Sequence, residues 1–514
     1  LRPLVEATGN GTLTITGYGG TTGTRRNHGV EIRGGTVRAK DGILSIVGHA
    51  GQGSLNERNL GVSLDSNSEE FYHLDYAVVE SVGKGAIAIT GTANSLHDYD
   101  NNAVRIEEYS QVRSAGGAIT IYGAAQGNDN GYGPYYNPAV LIAGSIIAGT
   151  THGNGSVTVT GYTSGGSYGV SVSPSDGISG PGGAIYAGSR DVVLGSSAGG
   201  VHIGGAIQSE TLTVAAPLTV TDDALLKARG LAKFDAPVIG IAGSDVNVVA
   251  GSIDAKAITT TPYVGVTGSI RLIANAGSIT TGDLSTSQSN SVNSSGLVKL
   301  RAFDNVTTGS IVTSNVNGSG NSGGAGDVAV TALRGGISIA DIDAYSQSQS
   351  LSSTSYGGGN VNLNAGTSVS VGDINIYSDG DFSFGTGGNA TINANGGSVI
   401  TGAIVTGGTL FVSHAANIIL RATDNVTVGG NIDTSSGSGN GGEVTLYALG
   451  GTLDVVGAID AYGGSSGGEV TLYSTGTDQT SLSSLATDST DKTPTIVGSN
   501  TPIGELYAPN GDYI

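Results

Sequence analysis

The chain has 514 residues with 21 Lys and Arg against 41 Asp and Glu, a formal net charge of −20, and no Cys, Met or Trp. This excludes disulfides, thiolate metal sites and cysteine nucleophiles, and it argues against nucleic-acid binding, which needs a basic stripe along the phosphates. Glycine is abundant at 89 residues and aromatics are scarce at 5%, a composition that would suggest disorder if no pattern were present.

A pattern is present from the start. The segments GTLTITG, GILSIVG, GAIAITG, GAITIYG and GSVTVTG carry paired aliphatics at Leu13/Ile15, Leu44/Ile46, Ile87/Ile89, Ile119/Ile121 and Val157/Val159. Each is followed by a second alternating stretch, GVEI, GVSL, AVRI, AVLI and GVSV, and a third short element is proposed at 34–39, 111–115 and 144–149. Three strands per turn follow from this. Residues 183–245 are less regular, with apolar pieces such as TLTVAAPLTV and one odd patch, Asp222 to Asp235, that could form a short helix although its neighbours read as strand.

From 246 to 474 the repeat becomes strict. Anchors at Val246, Ile270, Val298, Val328, Val361, Ala390, Ile418, Val444 and Val470 are each followed two residues on by a second aliphatic and four residues on by Ala, or by Ser474 in the last unit. Polar residues lie between them, the period-two signature of a strand with one buried face. A second strand starts 13 to 15 residues past each anchor, at Leu284, Ile311, Ile342, Ile374, Ile404, Ile432 and Ile459, and a variable Ser/Gly/Asn-rich loop completes the unit. After 474 the pattern dissolves, and 475–514 reads as a capping or linking tail.

Units this short cannot bury an apolar face alone, but stacking buries a continuous column of like residues. The expectation is an all-β, single elongated parallel β-helix of roughly 17 coils of about 24–43 residues, on the order of 80 Å long at the parallel strand spacing. Four stretches are expected: coils with long loops over 1–182, irregular coils over 183–245, regular repeats over 246–474 and the tail. Right-handed coiling is expected from the chirality of parallel crossovers. The chain begins at Leu1 and shows neither a signal segment nor about 18 continuous apolar residues, so it reads as a piece of a longer precursor with no membrane span of its own.

The run GGNIDTSSGSGNGGEVTLYALGGTLDVVGAIDAYGGSSGGEVTLYSTG and its sister units resemble the repeats of large secreted bacterial exoproteins similar to filamentous haemagglutinin. The resemblance implies a right-handed parallel β-helix working outside the cell as an adhesin or surface fibre, commonly exported by two-partner secretion. One departure stands out: residues 1–60 lack the Asn-Pro-Asn-type motif usual near the start of that family's secretion domain. Either that domain has been removed or the export route differs.

The chemistry searched for is sparse. Asp222-Asp223 is the only adjacent Asp pair and Glu69-Glu70 and Glu107-Glu108 the adjacent Glu pairs, and without companion motifs they read as solvated charge rather than as a glycosidase site. No catalytic residue is expected, and the chain is not expected to be an enzyme. Calcium is a weaker alternative to ordinary Asx turns at Asp98, Asp100 and Asn101 in HDYDNNA and at Asp129, between Asn128 and Asn130, in GNDNG. Otherwise no cofactor is expected. Aromatic clusters supply Phe71, Tyr72 and Tyr76, and Tyr132, Tyr135 and Tyr136, as candidate binding residues for glycans or protein, against the plainer reading that these loops cover a sheet edge. The functional expectation is an extracellular structural or adhesive surface rod, secreted, partnering itself head to tail or cell-surface glycans. The alternative is a β-helix that binds or cleaves polysaccharide.

Overall fold

A computed structural model describes residues 3–21, 26–51, 59–65, 76–94, 101–126, 138–149, 155–164, 168–173, 182–221, 224–262, 265–289, 291–318, 320–348, 356–379, 386–407, 415–475, 481–486, 495–497 and 506–507, the last three segments as backbone alone. All regular structure among them is strand, and the strand pairs are parallel. The chain is thus an all-β parallel β-helix. Two compact units are distinguished, one of Leu1–Ile239 with Asn247–Ala250 and one of Gly240–Val246 with Gly251–Ile514.

The first unit stacks three columns of strands. One runs through Leu13–Tyr18, Leu44–His49, Ile87–Ala93, Ile119–Ala125 and Val157–Thr163, with Leu13, Leu44, Ile87, Ile119 and Val157 in register. A second aligns Val30, Val62, Val104, Val140, Val170 and Val201. The third aligns Val5, Val37, Val79, Val112, Ile146, Ile185, Ile207 and Leu226. The three-strand turn read from the sequence is therefore present. The patch at 222–235 is corrected: its described residues form strands Leu225–Ala228 and Leu231–Phe234, with Leu226, Ala228, Ala232 and Phe234 buried. Alternating burial against parallel neighbours overrides the helical preference of Ala, Leu and Lys.

The third column also carries an alternating charge ladder. Glu6, Arg38, Glu80 and Arg113 are register partners on successive coils. The Glu80 side chain is only 4% exposed, and its carboxylate accepts from Arg38 Nε at 2.5 Å and Arg113 Nε at 2.6 Å. Glu80 raises the pKa of the Arg38 guanidinium. Glu80→Ala leaves two guanidinium groups facing each other across an emptied site, and a loss of roughly 2 kcal/mol in chemical denaturation is expected, between the values for exposed and buried pairs. Glu80→Gln, which keeps the volume, should lose less.

In the second unit the anchors fall into one column: Ile270, Val298, Val328, Val361, Ala390, Ile418, Val444 and Val470 are successive register partners. Leu284, Ile311, Ile342, Ile374, Ile404, Ile432 and Ile459 form another. Between them lies a column not singled out in the sequence, Ile279, Val306, Ile337, Val369, Val399, Val426 and Leu453. The stretch after 474 continues the stacking, with strand Ser481–Ala486 paired to Leu453–Asp460 and Thr495–Val497 paired to Val470–Ser474.

Side-chain ladders close the corners of this unit. Before four successive anchors, Val328, Val361, Ala390 and Ile418, stands a residue that offers an oxygen to the next coil's backbone: the N–H of Asn360 donates to Asp327 Oδ1, Asn389 N–H to Asn360 Oδ1, Asn417 N–H to Asn389 Oδ1 and Glu443 N–H to Asn417 Oδ1. The corner ahead of the middle column repeats the device with Ser278, Asn305, Ser368, Ser398 and Asn425. A third corner uses Asp283, Asp341, Asp373 and Asn431. Parallel strands leave the N–H at the strand start without a partner within the coil, and the stacked Asx or Ser side chain supplies the acceptor as a helix cap would. Asn389→Ala removes one such rung at an exposed position. We expect a loss of about 1 kcal/mol, read as a lower denaturation midpoint, and a smaller loss in Asn389→Asp, which keeps the acceptor for the Asn417 N–H but not the amide donor to Asn360 Oδ1.

Candidate functional site

Of the residues singled out in the sequence, Phe71, Tyr72, Tyr132, Tyr135, Tyr136, Asp98, Asp100 and Asp129 lie outside the described residues. Tyr76 is described, and its ring stacks on Tyr109 at 5.2 Å between centroids. Asn101 is buried, and its Oδ1 accepts the N–H of Asn59, whose own Oδ1 accepts the N–H of Asn27, so these residues form a ladder of the kind seen in the second unit. Among the described residues no cluster of three or more His, Cys, Asp and Glu is arranged to hold a metal ion.

A different site emerges in the second unit, beside the column Ile342, Ile374, Ile404, Ile432 and Ile459. The residue after each of these points outward, and in four of the five coils it is Asp or Asn: Asp343, Asn375, Asp433 and Asp460, with Val405 between them. Three residues past each Ile comes Tyr345, Tyr377, Gly407, Ser435 and Tyr462. Tyr345 and Tyr377 stack at 4.8 Å with ring planes 7° apart, as in-register aromatics on parallel strands do. The aromatic row then breaks for two coils and resumes at Tyr462, which is 41% exposed. The break leaves a groove of about 420 Å³ lined by Tyr377, Asp379, Val405, Asp433, Asp460 and Tyr462. At the parallel strand spacing the two tyrosine positions are roughly 14 Å apart.

The gap is built into the backbone. A Cβ on Gly407 would collide with the carbonyl oxygen of Ser435 and would come within 2.9 Å of Asp433 Oδ1. Both facing carboxylates are held locally: Asp433 Oδ1 accepts the N–H of Ser435 at 2.8 Å and Asp460 Oδ1 the N–H of Tyr462 at 3.0 Å. Each keeps a second oxygen for a ligand. Burial raises the Asp460 carboxyl above the usual aspartate range, against the Tyr462 N–H, which pulls it down, and with Asp433 adding in the same upward direction. Burial likewise pushes the Tyr377 phenol up to about 12, with help from Tyr345, Asp379 and Asp343. No Lys or Arg is among the described residues lining the groove.

The sequence carries a signal for this site that clusters of adjacent aromatics do not contain. It is the recurrence of Ile-Asp/Asn-x-Tyr at 342–345, 374–377 and 459–462, set against Ile-Asp-Thr-Ser at 432–435.

Fold and site together define a parallel β-helical repeat protein with an aromatic and acidic groove along one edge of its second unit. No protein-family model, no curated protein and no solved structure matches the chain. No helix among the described residues is long and apolar enough to cross a membrane.

Proposed function

We propose that this protein is a structural and adhesive component of an extracellular surface, of the kind formed by filamentous-haemagglutinin-like exoproteins, with self-association as a further part of its role. The observation that supports this reading is the triple corner ladder of the second unit. Asn, Asp and Ser rungs tie each coil to the next, so that side chains free to bind or react in another fold here serve the regularity of the stack. Such a body resists deformation along many equivalent contacts rather than at one domain interface.

Electron microscopy of the purified protein over a concentration series tests this. Stiff particles of uniform width are expected, with fibres of regular axial repeat at high concentration where self-association operates. Flexible, irregular particles would overturn the structural reading.

A second reading is favoured by one observation, the placement of Asp433 and Asp460 on adjacent coils within a groove. Paired carboxylates on neighbouring coils are what a polysaccharide-cleaving β-helix would require. Incubation with a panel of polysaccharides, scored for new reducing ends, separates the two. The scaffold reading predicts none; cleavage that is lost in Asp433→Asn would move the protein to the enzymatic alternative.

A further inference from the structure

We infer that the groove between Tyr377 and Tyr462 is a binding site for a guanidinium group, the side chain of an arginine presented by a partner polypeptide. The inference goes beyond the structural role proposed above and stands apart from it, since a scaffold without this site would remain a scaffold.

The first support is a pattern within this unit. Two of its surface aromatic side chains are covered by its own arginines. The Arg334 guanidinium carbon lies 4.6 Å from the centroid of Phe303, and that of Arg421 lies 4.9 Å from the centroid of Tyr447. Arg421 and Tyr447 are register partners on adjacent coils, so a guanidinium one coil away from a tyrosine in the same column is a geometry this stack forms internally. Tyr377 has Tyr345 against one side, and on the other the equivalent place one coil on is Gly407. The close approach of Ser435 keeps a side chain out of that place. The site is thus a tyrosine whose neighbouring rung has been removed, beside a space large enough for a ligand group.

The second support is charge. Asp433 and Asp460 face the same space from successive coils, and no ion pair among the described residues engages either. Each is oriented by a backbone N–H through one oxygen, which leaves the other to accept from a planar donor. A guanidinium meets both demands at once. Its face stacks on a phenol ring and its N–H edge bonds carboxylates in a fork, whereas an ammonium is more strongly hydrated and a neutral sugar leaves the two like charges unrelieved.

The test uses the whole chain and Nα-acetyl-arginine methylamide, followed by ligand-observed saturation-transfer NMR. Saturable binding in the millimolar range is expected, as suits a single side chain, weakening several-fold as salt rises from about 20 to 200 mM. The isosteric but neutral citrulline analogue should bind at least ~10-fold more weakly, and the lysine analogue should fall between them. The double variant Asp433→Asn with Asp460→Asn, checked for an unchanged circular dichroism spectrum, should lose binding to the citrulline level. Tyr377→Phe should keep it and Tyr377→Leu weaken it. A short peptide containing three arginines, set against the same peptide with citrulline, tests presentation on a polypeptide and should gain affinity over the single residue. Equal binding of arginine and citrulline analogues, equal binding of arginine and lysine, or binding that survives the double Asn variant would each overturn the inference. So would saturable binding of a neutral oligosaccharide in this groove with no response to arginine.

Discussion

Gly388→Val should be among the most damaging single substitutions in the second unit, costing about 3 kcal/mol or more. Gly388 belongs to a column with Gly268, Gly296, Gly326, Gly359, Gly442 and Gly468, one residue ahead of the ladder position in each coil. A Cβ placed on any of these would fall on a carbonyl oxygen of the coil before: Ser244 for Gly268, Gly268 for Gly296, Gly296 for Gly326, Gly326 for Gly359, Gly359 for Gly388, Ala416 for Gly442 and Gly442 for Gly468. The requirement is for close approach, since none of these glycines has a positive φ. Several of the same carbonyls are also bonded across the coil by a buried threonine, with Thr260 Oγ1 donating to Gly268 O, Thr313 Oγ1 to Gly326 O and Thr434 Oγ1 to Gly442 O. These bonds run across a single coil, so the carbonyl against which the next glycine rests is pinned in place. Ala416 occupies the same column between Gly388 and Gly442, so one methyl is accommodated by local adjustment, and Gly388→Ala should cost about 1 kcal/mol. Valine adds branching next to a backbone that is already in contact. Because a stack of coils loosens near the lesion first, hydrogen exchange should quicken most in strands Val361–Ala365 and Ala390–Ala394. A Gly388→Val protein with wild-type melting and wild-type exchange in those strands would show that the close approach is not limiting.

Much of this fold was legible because its core is written at a fixed phase. Ile270, Val298, Val328 and Val361 are anchors in the sequence and register partners in the structure, and the aliphatic two residues on follows the same column. Period-two alternation needs only the chain itself to be seen. The polar devices were less legible because their logic runs between coils. Asn360 and Asn389 are separated by 29 residues, and nothing near either marks one as the acceptor for the other. A short fourth column, Gln288–Ser289, Asn315–Asn317, Ser346–Ser348 and Ser378–Asp379, turns polar side chains inward, where Ser322 Oγ meets Ser346 Oγ at 2.9 Å and Thr286 bonds the carbonyl of Gly296. Without an apolar face it reads as variable loop.

The groove was hidden for the same reason. A search for aromatic sites in sequence favours runs such as GYGPYYN, whereas Tyr345, Tyr377 and Tyr462 belong to one row only after the coils stack. Its acids were hidden too, since Asp433 and Asp460 are 27 residues apart and adjacent only as register partners. In a solenoid the informative neighbour of a residue is its counterpart one coil away, and a chemistry that needs two groups together is spelled at the length of the repeat.

Mild acid should loosen the first unit, and His202 should account for much of the effect. His202 lies in strand Val201–Ile203 on the face opposite its core-facing neighbours Val201 and Ile203, yet only 2% exposed, between register partners Ser171 and Thr219. Its Nδ1 is 3.0 Å from Ser171 Oγ and its ring stacks on Tyr168 at 5.1 Å. Burial depresses its pKa to about 4, against about 6.5 for an exposed imidazole. Between those values the unfolded chain takes up a proton that the folded chain refuses. The stabilisation is therefore complete above about pH 6.5 and is lost as pH falls towards 4, to the extent of about 2 kcal/mol between pH 7 and 5. His28, also in this unit and lowered chiefly by burial, acts with the same sign. Asp460 in the second unit acts with the opposite sign, since a carboxyl held above its usual range favours the folded state as pH falls through that range. The expected measurement is a denaturant midpoint for the first unit that drops between pH 7 and 5. His202→Asn should lower the midpoint at pH 7 by removing the stacked ring, yet show a shallower dependence on pH. A variant whose midpoint falls with pH as steeply as the wild type would remove His202 from the account and leave the acid response to His28 and the carboxylates.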